Sequence, residues 1–272
     1  MPELPEVETT LRGIEPYLKD ATISDIVVRN ASLRWPVPTK QLSALVGQKV
    51  TGVERRAKYI LIHTTIGSIL LHLGMSGSIR VLEIGAKVGK HDHLDINLNG
   101  STIIRLNDPR RFGCCLLAHE PINEHRLIAK LGPEPLSSEF DGEVLFKRSR
   151  GRSIAVKNLI MDGNIVVGVG NIYACESLFL AGIRPTVAAK RLSRHRYNKL
   201  AAIIKVVLAN AIKAGGTTLN DFTQADGKPG YFKQELQVYG RVGDACNECG
   251  SKIKSQFVGQ RNTYYCPTCQ IF

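Results

Sequence analysis

Leu4, Val7, Leu11, Ile14 and Leu18 recur at intervals of three and four residues, a spacing that places all five on one face of a helix over residues 4–18. Pro16 lies inside that stretch and is expected to bend or end the helix. After Ala21 the period changes. Short β-branched runs predict strands over Thr22 to Val28, Lys49 to Val53, Tyr59 to His63, Ser68 to Leu73, His93 to Leu98, Ser101 to Leu106 and Gly113 to Leu117. Turn residues such as Asn99-Gly100 part several of them, so antiparallel hairpins forming a sandwich or barrel are expected within residues 1–131.

Gly132-Pro133-Glu134-Pro135-Leu136-Ser137-Ser138 has the composition of a linker, and helical spacing follows it. Ser193 is placed to cap a helix, with Leu192 and Tyr197 as its hydrophobic staple. Leu200, Ile203, Ile204, Val207, Leu208, Ala211 and Ile212 then trace one face, and Gly215-Gly216 ends it. Upstream, Gly170-Asn171 forms a tight entry to a second helix through Phe179. Helices joined by turns suit a helix-turn-helix contact, in which the N–H groups of a helix start meet phosphate. The Gly-rich stretch from Gly215 to Tyr231 is expected to be a mobile loop within a helical domain over 132–232.

Charge changes the picture more than length does. The formal net charge is +12, with about +4 over residues 1–130 and about +6 over 131–232, so both large segments favour the same polyanion, as a cleft between two domains would. No apolar run reaches membrane-spanning length, and the acidic start lacks the basic and apolar regions of a signal peptide. A cytosolic protein is therefore expected.

Seven cysteines are unevenly spaced. Cys114, Cys115 and Cys175 sit in apolar surroundings and read as reduced core residues. Cys246-x2-Cys249-x16-Cys266-x2-Cys269 has the spacing of a four-cysteine zinc site, which makes residues 233–272 a small metal-stapled segment. Four thiolates complete a tetrahedral ion, so one structural Zn²⁺ per chain is expected.

The start, Met1-Pro2-Glu3-Leu4-Pro5-Glu6-Val7-Glu8, admits two readings. In one, Pro2 and Pro5 set backbone angles at a helix start and the glutamates sit at its positive end. In the other, removal of Met1 exposes the secondary amine of Pro2, whose pKa of roughly 7.7–8 leaves a nucleophilic fraction at neutral pH. Lys58 follows Arg55-Arg56-Ala57 at a strand end, where a lysine is usually solvated. Two loop tips, His72-Leu73-Gly74-Met75-Ser76-Gly77 and Asn107-Asp108-Pro109-Arg110-Arg111-Phe112-Gly113, read singly as surface turns. Together they offer the wedge, donor and stacking surface that replacing an extruded base requires, with Met75 exposed. Arg261, between the cysteine pairs, is either a phosphate ligand or a turn residue.

Taken in order, these residues closely resemble the bacterial formamidopyrimidine-DNA glycosylase family over essentially the whole chain. The markers are MPELPEVE, RRAKY at 55–59, HLGMSG at 72–77, KHDH at 90–93, DPRRFG at 108–113, LGPEPL at 131–136, GVGNIYA at 168–174, GGTTL at 215–219, DGKPGYF at 226–232, ELQVYGR at 235–241 and the QRNTYYCPTCQ zinc segment. The resemblance implies an α+β multidomain chain: an N-terminal β-sandwich with a flanking helix (1–131), a helix-two-turns-helix domain (132–232) and a C-terminal zinc ribbon (233–272). It also implies excision of oxidised purines, 8-oxoguanine and formamidopyrimidines, from damaged double-stranded DNA by a bacterial, cytoplasmic monomer at the nucleoid, followed by nicking of the abasic strand.

Carried over residue by residue, Pro2 is then the nucleophile and Glu3 the proton shuttle, with Lys58 assisting β-elimination and Arg261 δ-elimination. His91, Arg110, Arg152, Asn171 and Arg261 hold DNA, with Lys157 a weaker candidate. Met75, Arg110 and Phe112 fill the vacated space, and residues 219–224 cap the extruded base. Departures are few: Cys175 stands where relatives often have serine, and Arg148-x-Arg150-x-Arg152 has its own composition, which weakens the assignment to Arg152. The competing readings are the endonuclease VIII branch, which prefers oxidised pyrimidines, and a catalytically silent zinc-ribbon DNA-binding protein. Leu4 and the DPRRFG turn favour the purine branch, and the intact Pro2, Glu3 and Lys58 disfavour a silent protein.

Overall fold

The computed structural model describes residues 2–119, 121–216 and 236–271, and the chain divides into two compact units, 1–130 with 214–231 and 131–213 with 232–272. In the first unit, α1 (Leu4–Leu18) precedes β1 (Ile23–Val28), a short α2 (Thr39–Leu42), β2 (Gly52–Arg56), β3 (Tyr59–His63), β4 (Ser68–His72), β5 (Ser78–Glu83), β6 (Asp92–Leu98), β7 (Thr102–Asn107) and β8 (Cys114–Ala118). The strands form two antiparallel four-stranded sheets, ordered β1-β6-β7-β5 and β2-β3-β4-β8. Ile60, Ile62, Ile69 and Leu71 of one sheet share a core with Ile79, Leu94, Ile96 and Ile104 of the other. Val7, Leu11, Ile14 and Leu18 of α1 complete that core, so the expected sandwich with a flanking helix is the observed architecture.

Three details depart from the expected pattern. Pro16 neither ends nor shortens α1, because it lies in the last turn, where a missing N–H costs a single bond. β5 was not anticipated: only Ile79 of its six residues is buried, so it carries a weak hydrophobic signal. β2 also begins later than its β-branched residues indicate. Val50 is buried, but its N–H bonds Ala21 O outside the ladder, while the polar Glu54, Arg55 and Arg56 pair with β3.

A buried ion network crosses β6 and β7. Arg105, 1% exposed, holds both Asp95 carboxylate oxygens at 2.8 Å, while Arg29, just past β1, bonds Asp95 and Arg80 of β5 bonds Asp92. The same guanidinium donates to Ala86 O and Lys87 O, which pins the loop leading to His91. Burial raises both carboxyls, but hydrogen bonds outweigh it, from Arg105 and Arg29 at Asp95 and from Asn107, Gly89 and Arg80 at Asp92. Both pKa values therefore fall below the ordinary range. Depressed folded-state values give stability that is present above the unfolded carboxyl pKa, about 3.9, and lost as pH falls through the folded values. Urea midpoints of the β unit should accordingly drop steeply below pH 4. Arg105→Met, which takes the buried two-oxygen partner from Asp95 and leaves it Arg29, should cost about 3 kcal/mol at neutral pH; a midpoint unchanged by the substitution would refute this account.

The second unit holds α3 (Gly142–Ser149), α4 (Val156–Met161), α5 (Asn171–Ala181), α6 (Arg194–Lys213) and a two-stranded ribbon, β9 (Lys254–Val258) with β10 (Arg261–Tyr265). α6 begins as expected: Ser193 Oγ accepts the Arg196 N–H at 3.3 Å, and Leu192 and Tyr197 are buried. The short α3 and α4 were not marked by any long periodic run. Cys175 and Phe179 of α5 share a core with Val238, Cys246, Ile253 and Cys266, so the zinc segment completes its core with a helical face. The segment 217–235, which includes most of the expected mobile loop and all of the expected base cap at 219–224, lies outside the described residues.

Candidate functional site

Pro2 and Glu3 are buried at the start of α1. Glu3 caps the helix: its N–H donates to Glu6 Oε2 at 2.8 Å, while its own carboxylate receives the Glu6 N–H in a reciprocal capping box. The structural reading of this segment and the chemical one therefore coexist, because the cap fixes the backbone that carries the terminal ring. Further along the helix, Glu8 accepts from Arg55 Nε at 2.7 Å, and Arg55 also donates to Ala57 O at 2.9 Å. Burial raises the Glu8 carboxyl, but Arg55 and then Arg12 bring it below its usual range. Ala57 has φ +55° and forms with Lys58 the two-residue turn between β2 and β3. Lys58 thus stands in a turn anchored to α1 through Arg55 and Glu8.

The two loop tips meet. Glycine at position 74, with φ +66°, lets the backbones touch, since a Cβ there would lie 2.4 Å from Gly113 N and from the Phe112 carbonyl carbon. Its N–H donates to His72 Nδ1 at 2.9 Å. Burial, with the Lys58 and Arg34 charges, lowers the His72 pKa to about 4, so a neutral ring accepts that bond. Met75 is half-buried rather than fully exposed, whereas Arg110 and Phe112 are exposed, with the guanidinium 5.0 Å from the ring centroid. His91 is partly exposed beside the buried His93. The Asn-Asp-Pro start of the second tip marked a turn in the sequence, but it gave no sign that Asp108 is fully buried.

In the second unit, Lys157 is 0% exposed; its Nζ donates to Asn171 Oδ1 and to Thr263 Oγ1, the latter at 2.6 Å. Asn171 Nδ2 donates in turn to Asn262 O at 2.9 Å. Lys157 thus meets the ribbon from inside rather than presenting its charge at the surface. At the ribbon tip Gly259 and Gln260 both have positive φ, the signature of a type I′ turn. A Cβ on Gly259 would lie 2.5 Å from Asn158 Oδ1, so the tip is seated on α4. The exposed Arg261 follows this turn, between the seat on α4 and the tie at Asn262.

The arginine run also divides. Arg148 donates to Asn164 O, and Arg150 to Phe146 O, Ala189 O, Lys190 O and Leu192 O, while Arg152 is exposed. Glu176, a residue that sequence reasoning missed, is 3% exposed and accepts the N–H groups of Gln237, Val238 and Tyr239 at 2.8, 3.0 and 2.9 Å. It ties α5 to the chain entering the zinc segment.

The sulfurs of Cys246, Cys249, Cys266 and Cys269 lie within 4.8 Å of one another, with Cys246–Cys269 at 3.9 Å and Cys249–Cys266 at 3.5 Å. A tetrahedral zinc–thiolate site with bonds of about 2.3 Å has edges of about 3.8 Å. The donor set therefore fits one Zn²⁺, with every position filled by protein.

Comparison with known proteins agrees with this arrangement along the chain. A family model described as the formamidopyrimidine-DNA glycosylase N-terminal domain matches residues 1–115, the formamidopyrimidine-DNA glycosylase H2TH domain matches 131–223, and a zinc finger found in FPG and IleRS matches 243–271. The formamidopyrimidine-DNA glycosylase of Actinobacillus pleuropneumoniae is 56% identical over 272 residues, covering 100% of this chain and 99% of the relative. The Lactococcus lactis Fpg in complex with DNA containing an abasic site is 33% identical, with a TM-score of 0.92 and 100% of each chain covered. A variant of that protein bound to Fapy-dG containing DNA is 32% identical, again with a TM-score of 0.92 over 100% of each chain.

Proposed function

Since this chain belongs to the formamidopyrimidine-DNA glycosylase family, we propose that it removes oxidised purines, 8-oxoguanine and formamidopyrimidines, from duplex DNA and then cleaves the abasic strand by β,δ-elimination. The observation that carries the reading is the anchored start of α1, where Pro2 and the buried Glu3 are consecutive. With Met1 removed, the Pro2 nitrogen attacks C1′ of the damaged nucleotide, the bond to the base breaks, and Glu3 delivers the proton that opens the sugar ring. The resulting iminium draws electrons from C1′ and acidifies the C2′ proton. Loss of that proton expels the 3′ phosphate, assisted by Lys58, and a second elimination assisted by Arg261 expels the 5′ phosphate. His91, Arg110, Arg152 and Asn171 hold the DNA, and Lys157 acts on it indirectly by fixing Asn171 and the ribbon.

Met75, Arg110 and Phe112 replace the extruded base. Cys246, Cys249, Cys266 and Cys269 would hold a Zn²⁺ that supplies no catalytic chemistry and would stabilise the ribbon that carries Arg261. The protein works as a monomer on damaged double-stranded DNA in a bacterial cytoplasm, at the nucleoid. The net charge of +12 supports a polyanionic partner, and no helix among the described residues is long and apolar enough to cross a membrane.

Duplexes carrying 8-oxoguanine or thymine glycol separate this reading from one centred on oxidised pyrimidines. Faster release of 8-oxoguanine, with phosphate left on both ends of the gap, is the expected result. Equal or faster attack on thymine glycol would sink the purine assignment, and a product that stops at β-elimination would sink the role given to Arg261.

A further inference from the structure

We infer that Asp108 is a positioning residue that joins the two loop tips and the His91 segment into one preformed wedge; the inference rests on the base-extruding function proposed above. A surface turn closes on itself and asks nothing of the rest of the chain. Asp108 does more. It is 0% exposed, and its carboxylate divides its bonds between two loops: Oδ2 accepts the Gly113 N–H at 2.7 Å, while Oδ1 accepts the Arg110 N–H at 3.3 Å and the Ser76 hydroxyl at 3.1 Å. Its own N–H donates to His91 O at 3.0 Å, and its carbonyl meets His93 Nε2 at 2.9 Å. One residue thus touches the immediate neighbours of Met75 and Phe112, together with Arg110 and His91 themselves.

The bond to Ser76 spans 32 residues of sequence and is the side-chain link from the Asp108 turn to the Met75 tip. It reinforces the backbone contact that Gly74 makes with Phe112 and Gly113. Extruding a base costs a few kcal/mol of lost stacking and pairing. Loops that also had to be ordered on binding would add roughly 1–2 kcal/mol for each backbone residue fixed. Holding the tips together before DNA arrives removes that second cost. The clasp should therefore matter when a base must leave the stack and matter little when the base is already gone.

Ser76→Ala removes the side-chain link between the loops and leaves the Gly74 backbone contact, and Ser76→Thr keeps the hydroxyl. Asp108→Asn retains one acceptor oxygen and sets its NH2 against a main-chain N–H, that of Gly113 in one orientation of the amide and that of Arg110 in the other. In single-turnover experiments, Ser76→Ala is expected to slow 8-oxoguanine release about tenfold, the scale of one lost hydrogen bond, with Asp108→Asn slower still and Ser76→Thr near wild type. Cleavage of a ready-made abasic site in the same sequence should change less than about threefold in Ser76→Ala. 2-Aminopurine beside an 8-oxoguanine made uncleavable by a 2′-fluoro sugar reports wedge entry without any chemistry, and its fluorescence gain on binding should shrink in Ser76→Ala and Asp108→Asn. Parallel loss of lesion release and abasic cleavage, or an unchanged fluorescence gain, would overturn the clasp. A wild-type protein that unstacks the probe but releases no 8-oxoguanine would instead overturn the catalytic reading and leave the clasp standing.

Discussion

Borohydride added during turnover on 8-oxoguanine DNA is expected to leave the protein joined to the strand through Pro2, and a chain that keeps Met1 is expected to yield no adduct. The chemistry turns on one bond. As a terminal residue, Pro2 has a secondary amine with a lone pair; behind a methionine the same nitrogen is a tertiary amide, neither basic nor nucleophilic. The capping box fixes the backbone at Glu3, so an added residue displaces its own amine from the position Pro2 holds. Loss of the nucleophile should lower base release and strand cleavage on the order of 10³-fold or more. Peptide mapping of the reduced adduct decides the matter. An unmodified amino-terminal peptide, in a reaction that still nicks the strand, would place the nucleophile elsewhere.

Zinc removal is expected to have the second-largest effect, with a consequence confined to one unit. The metal analysis should give one zinc per chain. After chelation, affinity for lesion DNA should fall on the order of 10²-fold or more, because Arg261 and the ties around it depend on the ribbon. The ribbon is short, and its core residues Cys246, Ile253 and Cys266 pack with Cys175 and Phe179 of α5. In zinc-finger peptides the metal supplies about 10–16 kcal/mol of apparent folding free energy, which so few contacts do not replace. Among the described residues, the core of the two sheets and this cluster have no member in common, so the melting transition of the sheets should stay in place. Full DNA affinity in stoichiometrically zinc-free protein would refute the structural role.

Legibility in the sequence followed the range of the forces involved. The helix carrying Pro2 and Glu3 was readable because five apolar residues repeat along one face, and the zinc site because both cysteine pairs are local. β5 was not readable, since its partners on β7 bury one residue of six. α3 and α4 have eight and six residues, too few for a clear period. Lys157 read as a weaker candidate for holding DNA, since nothing near it in sequence reveals that Thr263 accepts its hydrogen bond. Asp108 and Glu176 were missed for the same reason: their partners lie on other segments, and an acidic residue in a turn or on a helix is ordinarily solvated.

The arginines turned inward bear on how the net charge should be understood. Arg105 is spent on two aspartates, Arg55 on Glu8, and Arg148 and Arg150 on main-chain carbonyls. Arg148 and Arg150, bonded to neutral carbonyls, still contribute to the electrostatic field that draws a polyanion from a distance, whereas Arg105 and Arg55 are cancelled there by their carboxylates. Only a cation that reaches a phosphate displaces a condensed counterion, however. The speed with which this protein finds DNA and the number of ions it expels on arrival are therefore set by different subsets of its basic residues, and the second subset is the smaller.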